Sequence, residues 1–204
     1  AHYDSRPYSG PAPGADDNGS GAAALLSIAK AYAESGVVPV KSVYFVAFAG
    51  EEQGLLGSEA FAKELQNPTG ELPEECRLDL NDQNTHQALI MDEIGWASPK
   101  KTELTANLEA YDSSDEIMEH LAQANMRRRD SKLAVVHSSN PFGSDHMSWL
   151  TRGWHAVLTI NGDDEEYPAY HTANDVVANV NGTLAAGIAK MNLGALFRMA
   201  RVQT

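Results

Sequence analysis

The apolar residues of this chain fall into runs of two kinds. In the first they recur every three or four positions: Leu25, Leu26, Ala29, Tyr32 and Ala33 predict a helix over 22–35, closed by Gly36. Leu55, Leu56, Phe61 and Leu65 predict a second helix over 57–65. A third covers 113–128, with Ser114 placed to cap it. Asp115 and Glu116 lie in its first turn and Arg127, Arg128 and Arg129 at its far end, both matched to the helix dipole. A short helix starts at Ser144, and a last one spans 182–201. In the second kind the apolar residues are consecutive. Residues 43–49 (Val-Tyr-Phe-Val-Ala-Phe-Ala), 87–94, 133–136 and 155–160 read as strands, the first two as strands buried on both faces. Residues 102–108 alternate, which predicts a strand with one wet face. Residues 67–84 form a long irregular connection and 163–170 an acidic, aromatic loop. Strands and helices alternating in this way predict an α/β fold: a three-layer αβα sandwich around a mostly parallel, mixed sheet, with residues 1–204 as one domain.

In covered parallel sheets, ligands bind beyond the carboxyl ends of the strands. The run 43–49 is followed there by Gly50 and then by Glu51 and Glu52, two adjacent carboxylates that need a positive partner. Four other places carry similar side chains in strand-end or loop positions: His2, Asp16 with Asp17, Asp92, and His171. Alone, each has an ordinary structural explanation. Together they offer imidazole and carboxylate without thiolate, a donor set that suits Zn²⁺, with Mn²⁺ or Co²⁺ as alternatives. The lone Cys76 excludes an internal disulfide and a multi-cysteine zinc site. Net charge is −13, which argues against nucleic acid or an anionic membrane surface as partner. No run of apolar residues is long enough for membrane insertion, and no export signal is present in the sequence.

The blocks His2-x-Asp4-Ser5, Gly14-Ala15-Asp16-Asp17-Asn18-Gly19-Ser20-Gly21, Phe48-Ala49-Gly50-Glu51-Glu52-Gln53-Gly54-Leu55-Leu56-Gly57-Ser58, Met91-Asp92, Ser144-Asp145-His146 and His171-Thr172-Ala173-Asn174-Asp175 occur in this order. So arranged, the chain resembles the M28 family of zinc aminopeptidases along nearly its whole length. The resemblance implies two Zn²⁺ ions bridged by Asp17, one completed by His2 and Asp92, the other by Glu52 and His171. It implies Glu51 as general base, Asp4 as the partner that orients His2, Asp145 and Asp175 as further supports of the ligands, and a cis peptide between Asp17 and Asn18. The expected activity is zinc-dependent exopeptidase action on the N-terminal residue of a peptide or small aminoacyl substrate, in a secreted or periplasmic setting.

Several rivals lose on spacing. An EF-hand counted back from Gly19 puts Gly14 and Leu25 where side-chain ligands belong. A dinucleotide fingerprint at Gly19 lacks its preceding strand, and neither a Gly-x-Ser-x-Gly elbow nor His-Glu-x-x-His is present. A glutaminyl cyclase with one zinc, or a binding module that has lost ligands, fits less well than a chain with all five. Carboxypeptidase or dipeptidase action stays open. Ile94, Ile160, Tyr167 and Tyr170 are expected to line the substrate pocket by their positions after strands. Asp163-Asp164-Glu165-Glu166 reads as a solvated loop, with attraction for basic side chains or the substrate amine as the alternative, and Glu93 has no assigned role. Family members carry chain ahead of the His-x-Asp block. His2 near a terminus is therefore expected to make the weaker metal site, and an exposed sheet edge to permit a homodimer.

Overall fold

In the computed structural model, which describes residues 1–67, 86–139, 141 and 143–201, strands β1 (Gln87–Met91) and β4 (His155–Asn161) divide their side chains between two cores. Ala88 and Ile90 join Ala156, Leu158 and Ile160 on one side, while Leu89, Met91 and Val157 face the other. Both faces of these strands are apolar for that reason, and neither sequence alternates. The first core is closed by Phe48, helix α2 (Leu56–Gln66) and helix α4 (Met147–Leu150). The second is closed by α1 (Gly21–Glu34), α3 (Asp115–Met126) and α5 (Gly182–Met199). Helices thus cover the sheet on both sides, as expected. The cysteine and nearly all of the connection 67–84 lie outside the described residues.

The remaining strands are β2 (Leu104–Glu109) and β3 (Leu133–Ser138), and the order across the sheet is β1-β4-β2-β3. β1 runs parallel to β4 and β2 parallel to β3, while β2 and β4 are antiparallel, so the sheet is mixed. β2 has no fully wet face: Ala106, Leu108 and Glu109 are buried and the other three residues half-buried. Ser114 does stand at the N-cap position of α3, but its hydroxyl accepts the Ala156 N–H of β4 at 3.2 Å instead of capping the helix.

One predicted strand is corrected. Among the described residues, 43–49 join no ladder, and the one bridge in the run pairs Phe48 with His2 in parallel. Phe48 N–H donates to the Ala1 carbonyl and Tyr3 N–H to the Phe48 carbonyl, both at 3.0 Å. Phe48 is buried, but Tyr44 and Ala47 are exposed. A cavity of about 590 Å³ is lined by Ala1, by Val43, Phe45 and Val46 of this run and by Leu89 and Met91 of β1. Apolar, β-branched composition favours a strand, but a ladder requires a neighbour within about 4.8 Å. Among the described residues β1 pairs with β4 alone, so its other edge borders this slot.

Candidate metal centre

Five loops or strand ends meet at one end of the molecule. His2 arrives on the Phe48 bridge and is 1% exposed, so the ligand expected to be loosely held is buried. Asp17 comes from a tight turn over Ala15–Ser20, just before α1, and the peptide joining it to Asn18 is cis as the resemblance implied. Asn18 ties that turn to β1 by donating its side-chain amide to the Met91 carbonyl at 3.0 Å, and its side-chain oxygen accepts Gly21 N–H at 2.9 Å. Gly21 has to be glycine here, since a Cβ would lie 2.5 Å from the Met91 carbonyl. Asp92 follows β1 directly, and His171 lies in the loop after β4 with φ of 52°. Glu93 also has positive φ, at 45°, and a non-glycine residue in that region is strained. Such strain concentrates at functional sites.

The side chains converge as two triads that share one residue. Ligand atoms of His2, Asp17 and Asp92 lie within 4.8 Å of one another, and so do those of Asp17, Glu52 and His171. Asp17 turns one oxygen to each histidine: Oδ1 is 3.4 Å from His2 Nε2 and Oδ2 is 3.0 Å from His171 Nε2. Asp92 Oδ1 lies 3.1 Å from His2 Nε2 and Glu52 Oε2 lies 2.9 Å from His171 Nε2. Glu51 belongs to neither triad, with its nearest carboxylate oxygen 3.9 Å from His2 Nε2.

These residues fit a cation. His2 Nδ1 faces the Asp4 carbonyl at 3.1 Å and must donate its proton there. In the neutral ring, Nε2 is then a lone pair set against carboxylate oxygens of Asp92 and Asp17, which repels unless a positive ion intervenes. His171 Nε2 is buried and close to two carboxylate oxygens, yet it makes a well-aligned hydrogen bond to neither. An orphaned buried nitrogen between carboxylates suits coordination. The ionisation of the cluster agrees. Burial, followed by the charges of Asp92 and Glu52, pushes Asp17 up to about 9. Burial and then the Asp92 charge push Glu51 up to about 8. Burial alone would lower His2, but its hydrogen bond with Asp92 and the charges of Asp92, Glu51 and Asp17 raise it to about 10. Carboxyls that hold protons and an imidazole that keeps one mark a site in want of positive charge.

The supporting residues hold the main chain around the triads as well as the side chains. Asp4 was expected to orient His2. Its carboxylate stands 3.5 Å from His2 Nδ1, while its oxygens accept the main-chain N–H groups of Glu51 at 3.2 Å and Glu52 at 3.3 Å. Asp4 therefore sets the glutamate turn, and its carbonyl orients the histidine. Asp175 accepts the N–H groups of Asp16 and Asp17 at 2.9 and 3.0 Å and the Tyr167 hydroxyl at 2.7 Å, holding the turn that carries the shared ligand. Asp16 accepts Gly95 N–H at 2.6 Å and is no member of either triad. Ser144 donates to Asp92 Oδ2 at 2.7 Å, and the Asp145 carboxylate is fully buried.

Of the four residues expected to line a pocket, only Tyr170 faces the centre, stacked on the His171 ring at 3.7 Å between centroids. Ile94 and Ile160 are fully buried members of the two cores, and Tyr167 is committed to Asp175. Position after a strand locates a residue along the chain but leaves its face open. Arg6 was missed altogether. Its main-chain N–H donates to Glu52 Oε1 at 3.0 Å, and its guanidinium lies 3.2 Å from Glu52 Oε2. The signal was present in a cation four residues after His2, beside an acidic cluster.

The comparisons with known proteins agree with this geometry. The model for peptidase family M28 matches residues 1–196. Aminopeptidase YwaD of Bacillus subtilis is 30% identical over 184 residues, covering 89% of this chain and 36% of its own length. A probable zinc metalloprotease of Pyricularia oryzae is 27% identical over 230 residues, covering 98% and 45% respectively. Among solved structures, BSAP, a zinc aminopeptidase from Bacillus subtilis, superposes with a TM-score of 0.74 at 26% identity, covering 100% of this chain and 45% of that one. The chain thus spans less than half the length of these relatives. With one family model matched almost end to end, the chain belongs to peptidase family M28.

Proposed function

We propose that this chain carries the catalytic centre of a zinc-dependent aminopeptidase that binds two Zn²⁺ ions and removes N-terminal residues from peptides. The observation that carries this is the pair of triads joined at Asp17, with Glu51 beside both and part of neither. His2, Asp17 and Asp92 would hold one ion and Asp17, Glu52 and His171 the other. Bound zinc supplies Lewis acidity, both to a scissile carbonyl and to a water that becomes nucleophilic near neutral pH.

The chain's own residues do the rest. Glu51 takes a proton from the attacking water at its carboxylate and passes it to the leaving amine nitrogen. A general base has to keep a free oxygen within reach, and Glu51 does so because Asp4 fixes the main chain of both glutamates while only Glu52 faces His171. Tyr170, laid over the His171 ring, keeps the imidazole in its plane and shields it from water on that side.

Hydrolysis of aminoacyl p-nitroanilides tests the proposal. Activity is expected to vanish with a chelator and return with zinc, at two zinc ions per chain by elemental analysis. A zinc-loaded, folded protein that turns over no aminoacyl amide would refute it.

A further inference from the structure

Among the described residues, Arg6 is the one lysine or arginine that pairs with a member of either triad. Its position is fixed from the main chain outward. Its N–H donates to Glu52 Oε1 at 3.0 Å, and its side-chain Nε stands 3.2 Å from Glu52 Oε2 and 3.4 Å from His171 Nδ1. Two residues on, Tyr8 N–H donates to the His171 carbonyl at 2.8 Å, and the Tyr8 ring meets the His171 ring edge-on at 5.2 Å. The segment carrying Arg6 is therefore tied to both Glu52 and His171, two of the three residues of one triad.

These contacts use only Nε. The two terminal nitrogens of the guanidinium make no hydrogen bond among the described residues, and the Arg6 side chain is 50% exposed while that of Glu52 beneath it is 3% exposed. Balancing the charge of Glu52 accounts for the inner nitrogen and leaves the outer pair idle. An arginine anchored at Nε with its terminal nitrogens open to solvent is a planar, two-pronged donor, and that shape matches a carboxylate. Anchoring also removes side-chain freedom in advance, so less is lost when a ligand docks.

The place of this fork decides what it meets. A peptide whose scissile carbonyl reaches ions held by Glu52 and His171 passes within a few atoms of Arg6. Asp17, Glu51, Glu52 and Asp92 make the rest of the centre acidic, so Arg6 is the side chain there that attracts a negative group on the substrate.

We propose that Arg6 is a substrate-binding residue that takes a carboxylate close to the scissile bond, either an acidic first side chain or the free C-terminus of a dipeptide. This rests on the aminopeptidase reading of the same centre.

Two pairs of compounds separate the sources of that carboxylate. L-glutamyl p-nitroanilide is compared with L-glutaminyl p-nitroanilide, and L-alanyl-L-alanine with L-alanyl-L-alaninamide; the members of each pair match in shape and differ by one charge. Turnover gives kcat and KM, and calorimetry on the zinc-loaded Glu51→Gln protein gives binding apart from turnover. In at least one pair the acid should be favoured roughly 10- to 100-fold in KM and in binding, the range of a hydrogen bond to a charged group, with kcat little changed. Arg6→Gln should lose most of that ratio, and Arg6→Lys, which keeps the charge without the fork, a smaller part. Thermal melting and zinc stoichiometry establish that each variant is folded and loaded. If Arg6→Gln does not fold or load, the wild-type ratio and Arg6→Lys decide. A wild type that treats acid and amide alike in both pairs overturns the proposal. So does a folded, loaded Arg6→Gln that keeps the preference, the result expected if the ions themselves captured the carboxylate. If the binding preference is present and depends on Arg6 but the wild type cleaves none of the four compounds, the carboxylate site stands and the aminopeptidase reading fails. Cleavage without charge preference has the opposite meaning.

Discussion

Replacing Asp175 by alanine removes the acceptor of three hydrogen bonds at once: the N–H groups of Asp16 and Asp17 at 2.9 and 3.0 Å and the Tyr167 hydroxyl at 2.7 Å. Asp175 is 2% exposed, so water does not readily take its place. A hydrogen bond to a charged acceptor contributes roughly 1.5–3 kcal/mol, and three of them set an upper bound of about 4.5–9 kcal/mol before relaxation. Tyr167→Phe removes one of the three and should cost about 1.5–3 kcal/mol. Asp175→Asn lies between, because an amide that keeps the two donors to Oδ1 turns its own NH₂ toward the Asp17 N–H. The expected order of destabilisation is Tyr167→Phe, then Asp175→Asn, then Asp175→Ala. Against a total stability of about 5–15 kcal/mol, the alanine variant approaches unfolding. Urea titration of the chelator-treated protein measures this from the midpoints at constant slope. A double-mutant cycle sharpens it, since Tyr167→Phe should cost little once Asp175 is alanine. If Tyr167→Phe costs as much in the alanine background as in the wild type, or if Asp175→Ala is milder than Tyr167→Phe, Asp175 does not hold the turn as described.

Glu51→Gln should keep both zinc ions and lose turnover, whereas Glu52→Gln should lower zinc affinity by about 10-fold or more; equal zinc loss in the two, measured by elemental analysis, contradicts their separate roles. Without metal, Asp17 and Glu51 keep protons up to about pH 9 and about pH 8. Unfolded carboxyls release theirs near pH 4, so the folded chain binds more protons in between and its stability falls as pH rises from about 4 to about 9. Melting temperatures of the chelated protein should drop across that window, and zinc should flatten the slope; a chelated protein that gains stability toward pH 9 would disprove the charge assignment. Gly21→Ala puts a methyl group against the Asn18 side chain and 2.5 Å from the Met91 carbonyl, so it should lower the denaturation midpoint by the equivalent of about 1–3 kcal/mol.

The elements that could be read in advance carry their whole signal locally. α1, α2 and α5 show a helical period, and β1 and β4 show apolar runs that two covered faces require. The residues that gather into the two triads could be picked out for the same reason, each sitting in a short block of distinctive residues. What was missed depends on neighbours distant in sequence. The run 43–49 has strand composition, yet whether it pairs is decided by β1, roughly 40 residues on, and by the slot between them. Asp4 and Asp175 could be placed near the triads, but the main-chain N–H groups they accept could not be read, since a motif names a side chain and not the N–H it accepts. Ile160, inside β4, turns into the core because a single step along a strand reverses the face a side chain presents, and Ile94, past the end of β1, is buried in the other core.

The slot between residues 43–48 and β1 divides the centre as well as the sheet. His2 and Glu52 stand on one bank, at the Phe48 bridge and after the extended run, while Asp92 and His171 stand on the other, after β1 and β4. Asp17 lies between them and faces both histidines. Ions coordinated there would act as a clamp across the two banks, converting side-chain coordination into resistance to shear between segments that, among the described residues, share no backbone ladder. Amide hydrogen exchange would register this at a distance: zinc should slow exchange along 43–48 and the outer edge of β1, although none of those amides would touch the metal.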